Sequence, residues 1–162
     1  MRITSLLISL LFIMLQACGQ SNAQQDEKYS EELPPVISNP KKYNRLSEKE
    51  AYVIEKQGTE YAFSGEFHNY KGKGTYICKR CNNPLFTSSS KFDSRTGWPS
   101  FDDMIADNVK EKADTDGMRT EVVCANCDAH LGHVFKNEGF TEKQTRHCVN
   151  SVSLSFVKKE LK

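Results

Sequence analysis

Six cysteines fall into three settings. Cys78 and Cys81 form one C-x-x-C, Cys124 and Cys127 form another, and Cys18 follows an apolar N-terminal run. Cys148 stands apart in Arg146-His147-Cys148-Val149-Asn150-Ser151. Nearby cations favour the thiolate, which is the reactive form, so this sequence predicts a nucleophile with a depressed pKa. Residues two apart share one face of a strand. Arg146, Cys148 and Asn150 would then project together as a cation, a nucleophile and an amide able to bind an oxygen or orient a water. The competing reading is a cysteine buried as a small apolar residue. His130 and His133 bracket Leu131-Gly132 and add two groups able to move protons near neutral pH. With no obvious third ligand, they make a poor metal site.

Cys78-Lys79-Arg80-Cys81 and Cys124-Ala125-Asn126-Cys127 each aim two thiols at one point from a tight turn. Two such knuckles supply a closed tetrahedral Zn2+ site, structural because no position stays open to water. Disulfides, which an exported protein can form, and iron on the same thiolates compete with zinc. A thioredoxin-like pair would need a βαβ context that the chain lacks.

The elements that must position these groups are short. Asn39-Pro40 offers a helix start, with proline at the first helical position. Ser47 and Glu50 form a capping box for a helix through Tyr52, Val53 and Ile54, stopping at Gly58. From Gly74 onward the pattern is of strands: Gly74 to Cys78, Glu121 to Cys124, and Val149 to Val157 with Val152, Leu154 and Phe156 alternating against serines. No βαβ period and no internal repeat occur. The fold class is mainly β, with short N-terminal helices.

Residues 1–17 read as a signal peptide, because the apolar run Ile3 to Leu15 is shorter than the roughly 20 residues a spanning helix needs. Leu15-Gln16-Ala17-Cys18 resembles a bacterial lipoprotein cleavage site, with Cys18 the acylated residue. An ordinary signal cut after Ala17 or Ala23 is the alternative. Residues 18–36 are polar and aperiodic and read as a disordered tether. The domain then runs over 37–162, on a membrane-anchored, extracytoplasmic protein of the cell envelope. Formal net charge is +1, and loss of Arg2 balances 21 basic against 21 acidic residues. Neutrality, with no basic stretch carrying interleaved aromatics, argues against a nucleic-acid partner.

Gly97-Trp98-Pro99-Ser100-Phe101, His130-Leu131-Gly132-His133-Val134-Phe135, the paired cysteines and Arg146-x-Cys148-x-Asn150 together resemble the B-type methionine sulfoxide reductases. The resemblance covers roughly Asn39 to Phe156. It implies two antiparallel sheets packed around the site and clipped by zinc on Cys78, Cys81, Cys124 and Cys127. The implied activity is that of a peptide-methionine (R)-S-oxide reductase: Cys148 attacks the sulfoxide sulfur and becomes a sulfenic acid. His130 and His133 would organise the proton network, His133 being the closer candidate for the donor. Trp98 would form an apolar wall for the substrate methyl group, with Phe101 a candidate for wall or core. The family often places an acid four residues after His133, where this chain has Asn137. Many members carry a second cysteine just before the Gly-Trp-Pro run, where this chain has Thr96. An external thioredoxin-like or small-thiol reductant is therefore expected to reset Cys148, and the protein is expected to act as a monomer. A zinc-stabilised binding module on a lipid tether and a thiol peroxidase are the rival readings.

Overall fold

The structure, a computed structural model, describes residues 29–30 and 32–161. The signal peptide and the acylation site at Cys18 lie outside these residues. In chain order the strands are β1 (Tyr29–Ser30), β2 (Gly74–Cys78), β3 (Pro84–Thr87), β4 (Lys91–Phe92), β5 (Ser100–Phe101), β6 (Val109–Ala113), β7 (Thr120–Cys124), β8 (His130–Lys136), β9 (Thr145–Val149), β10 (Leu154–Lys158) and β11 (Glu160–Leu161). Among the described residues the single α-helix, α1, is Glu48–Ile54. β1 pairs with β11, so the stretch expected as a tether carries a two-residue strand near its end.

Two antiparallel sheets make the body. One has the order β10-β2-β3, the other β4-β5-β9-β8-β7-β6. Between them lie aromatic rings: Phe101 stacks on Phe86 at 4.4 Å and meets Tyr76 edge-on at 5.0 Å. All three are fully buried. Each such side chain contributes about 1.5–3 kcal/mol by leaving water.

The N-terminal elements follow their sequence signals. Asn39 accepts from Lys41 N–H at the head of a 3-10 turn, Pro40–Lys42. The Ser47–Glu50 capping box closes reciprocally, which satisfies two otherwise orphaned N–H groups of α1. Val53 and Ile54 give α1 its buried face.

One expected strand is broken. Residues 149–157 alternate in sequence but fold as the end of β9, a 3-10 turn at Ser151–Ser153, and β10. The Glu60 carboxylate takes the N–H groups of Ser151 and Val152, at 2.5 Å and 3.3 Å. A turn with satisfied donors therefore displaces continuous strand pairing.

Candidate active site and metal centre

Each C-x-x-C forms the same local turn. Asn82 and Asp128, each just after its second cysteine, have φ of 62° and 55°. Asn and Asp tolerate this left-handed conformation better than most residues. The four sulfurs lie within 4.8 Å of one another. Cys78–Cys127 and Cys81–Cys124 are each 3.6 Å apart, far beyond the ~2.05 Å of a disulfide. A tetrahedron with Zn–S of ~2.3 Å has edges of about 3.8 Å. All four are buried, and Asn83 donates to the Cys124 sulfur at 3.6 Å. Four crowded thiolates would repel one another without a cation, so the cluster fits a structural zinc ion. It joins the β2–β3 turn to the β7–β8 turn, one from each sheet.

The second cysteine setting is a row across the large sheet. Glu121 pairs with His133, His133 with Cys148, and Cys148 with Ser100, so residues of β7, β8, β9 and β5 share one face. Phe135 pairs with Arg146 on the same face. His147 alternates inward, is buried, and meets the Phe101 carbonyl at 3.2 Å. Gly132 lies where β8 crosses closest to β9: a Cβ there would collide with the Cys148 carbonyl.

The same alternation puts Phe101, a candidate for wall or core, in the core and not in a substrate wall. Ser100 faces Cys148, so Phe101 faces the core. Trp98 is half-buried, its Nε1–H donating to the Glu60 carbonyl at 3.2 Å. Asn150 is 3% exposed and already engaged. Its Oδ1 accepts from Glu60 N–H at 3.0 Å and its Nδ2 donates to the Leu131 carbonyl at 3.0 Å. It braces the end of β9.

The expectation of a depressed Cys148 pKa is also corrected. Burial pushes the thiol up, outweighing Arg146 and a hydrogen bond from Thr96, both of which favour the thiolate. Arg146 is shared. Its Nε and Nη2 donate to Glu138 at 2.6 Å and 3.0 Å, and its guanidinium lies 4.4 Å from the centre of the Phe135 ring. The hydrogen bonds from Arg146, together with its charge, hold the Glu138 carboxyl below its ordinary value.

Three acids around the row were not visible in the sequence. Glu138 occupies the place next to Asn137, whose φ of 62° turns the chain there. Asp114 Oδ2 lies 2.7 Å from His133 Nε2 and 3.1 Å from Arg119. Glu121 Oε1 lies 2.7 Å from His130 Nδ1. Burial lowers the His130 pKa despite Glu121, so the His130 ring is neutral at pH 7. The His133 contact with Asp114 lowers the carboxyl's pKa. The two rings lie 5.5 Å apart, edge to face. One histidine is thus a buried neutral ring and the other sits opposite the thiol with a carboxylate behind it. Only the strand registers reveal these pairings.

Fold and site together define a β domain clipped by a four-cysteine cluster that fits zinc, with one partly exposed thiol opposite a histidine–carboxylate pair. The chain belongs to the SelR-domain family, whose model matches residues 46–158. It is 51% identical over 117 residues to peptide methionine sulfoxide reductase B1, chloroplastic, of Oryza sativa subsp. japonica, covering 70% of this chain and 54% of that protein. To peptide methionine sulfoxide reductase B2, chloroplastic, of Arabidopsis thaliana it is 44% identical over 126 residues, 76% of this chain and 62% of that one. Peptide methionine sulfoxide reductase B5 of Oryza sativa subsp. japonica is 46% identical over 112 residues, 68% of this chain and 82% of that one. The chain thus spans little more than half the length of the first of these relatives.

Proposed function

We propose that this protein reduces methionine-R-sulfoxide in proteins or peptides to methionine, with Cys148 as the nucleophile. The register that sets Cys148 opposite His133, with Arg146 on the same face, carries the reading. The Cys148 thiolate attacks the sulfoxide sulfur and the oxygen takes up one proton; the oxygen then passes from the methionine sulfur to the Cys148 sulfur as the transient sulfur–sulfur bond breaks. The products are methionine and a cysteine sulfenic acid. His133 supplies the proton at the departing oxygen, and the Asp114 carboxylate, 2.7 Å from its Nε2, holds the ring in place. Because burial keeps Cys148 largely protonated, Arg146 and Thr96 act chiefly by steadying the thiolate as it forms.

The cycle uses one cysteine. Thr96 is the hydroxyl partner of Cys148 and cannot form a disulfide. The other described cysteines are held in the tetrad. An external thiol, thioredoxin-like or small, attacks the sulfenic acid, releasing water and leaving a mixed disulfide that a second thiol resolves. Acylation of Cys18 anchors a monomeric protein on the extracytoplasmic side of a bacterial membrane. The apolar segment and the small residue before Cys18 support this.

Incubation with a reductant and racemic, blocked methionine sulfoxide tests the reading. Consumption of the R epimer alone, lost in Cys148→Ser, is expected. Consumption of neither epimer, or undiminished turnover by the variant, would refute it. Cys18→Ala is expected to release a fully active protein into the soluble fraction.

A further inference from the structure

Residues 58–68 form a strap tied to the turn after β9 and to the Gly97–Trp98 segment, and Glu60 makes four of the ties. Glu60 is 4% exposed, although a carboxylate is costly to bury without partners. Its side chain accepts from the N–H groups of Ser151 and Val152. Its own N–H donates to Asn150 Oδ1, and its carbonyl accepts from Trp98 Nε1. The strap is held on either side of it. Phe63 N–H donates to the Gly97 carbonyl at 2.8 Å, and Phe67 N–H donates to Ser151 Oγ at 3.1 Å. Gly65 permits this closure, since a Cβ there would strike Ser151 Oγ and crowd the Glu60 carboxylate.

The consequence lies at Trp98. Its indole is fixed at the nitrogen end by a backbone carbonyl whose position depends on the Glu60 carboxylate gripping the turn after β9. The same turn follows Cys148 by three residues. The indole and the thiol are therefore linked through the chain Trp98, Glu60, Ser151, Cys148, beside the direct tie of Val149 N–H to the Pro99 carbonyl at 2.9 Å. We infer that Glu60 is a positioning residue that holds the Trp98 wall at a fixed distance from Cys148 and so sets how tightly the substrate's methyl group is gripped. This rests on the proposed sulfoxide chemistry for its kinetic part only. The geometric part concerns Trp98 alone.

Trp98 is the only tryptophan, so its emission reports this wall directly. Glu60→Gln keeps the size and one acceptor but turns an amide donor toward one of the two N–H groups. In this variant KM for a blocked R-sulfoxide should rise about tenfold with kcat within about twofold, as loss of a charge-assisted contact used in binding predicts. Trp98 emission should shift to the red and acrylamide should quench it more strongly. Glu60→Asp should move both readings less than Glu60→Gln does. Cys148 alkylation should keep its wild-type rate in all of them. An unchanged KM and unchanged Trp98 emission in a folded Glu60→Gln protein would overturn the inference, as would a fall in kcat with KM unchanged. If wild-type protein reduces no sulfoxide, the proposed function fails, while the emission and quenching comparison still decides the role of Glu60.

Discussion

The protein holds two cysteine settings that differ in almost every physical respect. In the tetrad, four buried sulfurs converge within 4.8 Å, so each has the other three beside it. In the row, one partly exposed sulfur faces a histidine, a hydroxyl and a shared guanidinium. The tetrad draws its ligands from turns at the ends of both sheets and closes upon itself. The row lies flat on one sheet and leaves one side for a ligand. Thiols alone therefore specify neither structure nor chemistry. Whether the neighbours complete the coordination of a sulfur or leave it open decides which it does.

The largest expected effect comes from opening the closed setting. Structural zinc contributes an apparent ~10–16 kcal/mol in small peptides, against a domain stability of ~5–15 kcal/mol. Chelation, or Cys124→Ala, should therefore unfold the domain, read as loss of near-ultraviolet circular dichroism together with released zinc. Retention of the fold without metal would break the comparison. Cys148→Ser should do the opposite. It should lower turnover by about a thousandfold or more while the melting temperature and zinc content stay unchanged.

Next in size is the effect at His133, the proposed proton donor. Asp114→Asn leaves His133 with a neutral partner and should lower kcat by about ten- to a hundredfold with little change in KM. The Asp114 carboxyl has a lowered pKa in the fold, so its contribution to stability is present above the ordinary carboxylate range. That contribution is lost as pH falls through the folded value. Between pH 7 and 5 the wild type should therefore lose no stability through Asp114, as urea melts at the two pH values would measure.

The smallest effects sharpen the electrostatics of the open setting. Burial raises the Cys148 pKa, so alkylation should accelerate with pH about a midpoint above the ~8.5 of a free cysteine. Arg146→Ala should move that midpoint up further. Glu138→Gln removes the anion that raises it and should move it down, provided that the guanidinium stays in place. A midpoint below that of free cysteine in wild type would contradict the assigned balance.

How far the sequence carries depends on how local each determinant is. The capping box at Ser47 and Glu50, the two knuckles and the shared face of Arg146 and Cys148 lie within a few residues, and each was legible. Phe101 stayed open between wall and core, because its direction depends on which residue of β5 pairs with Cys148. Asp114, Glu121 and Glu138 were invisible for the same reason. They reach their histidines and arginine across strand pairings or a loop whose register no single segment specifies. Glu60 lies 90 residues from Asn150, which it grips. The Val149 to Val157 stretch misled because alternation cannot report a distant carboxylate that stabilises a turn.

The most direct test treats zinc-loaded, fully reduced protein with one equivalent of R-sulfoxide in the presence of dimedone. Intact-mass and peptide analysis should find a single dimedone adduct on Cys148, zinc still bound, and no internal disulfide. A disulfide between Cys148 and a tetrad cysteine, with zinc released, would contradict the separation of the two cysteine settings on which the account depends.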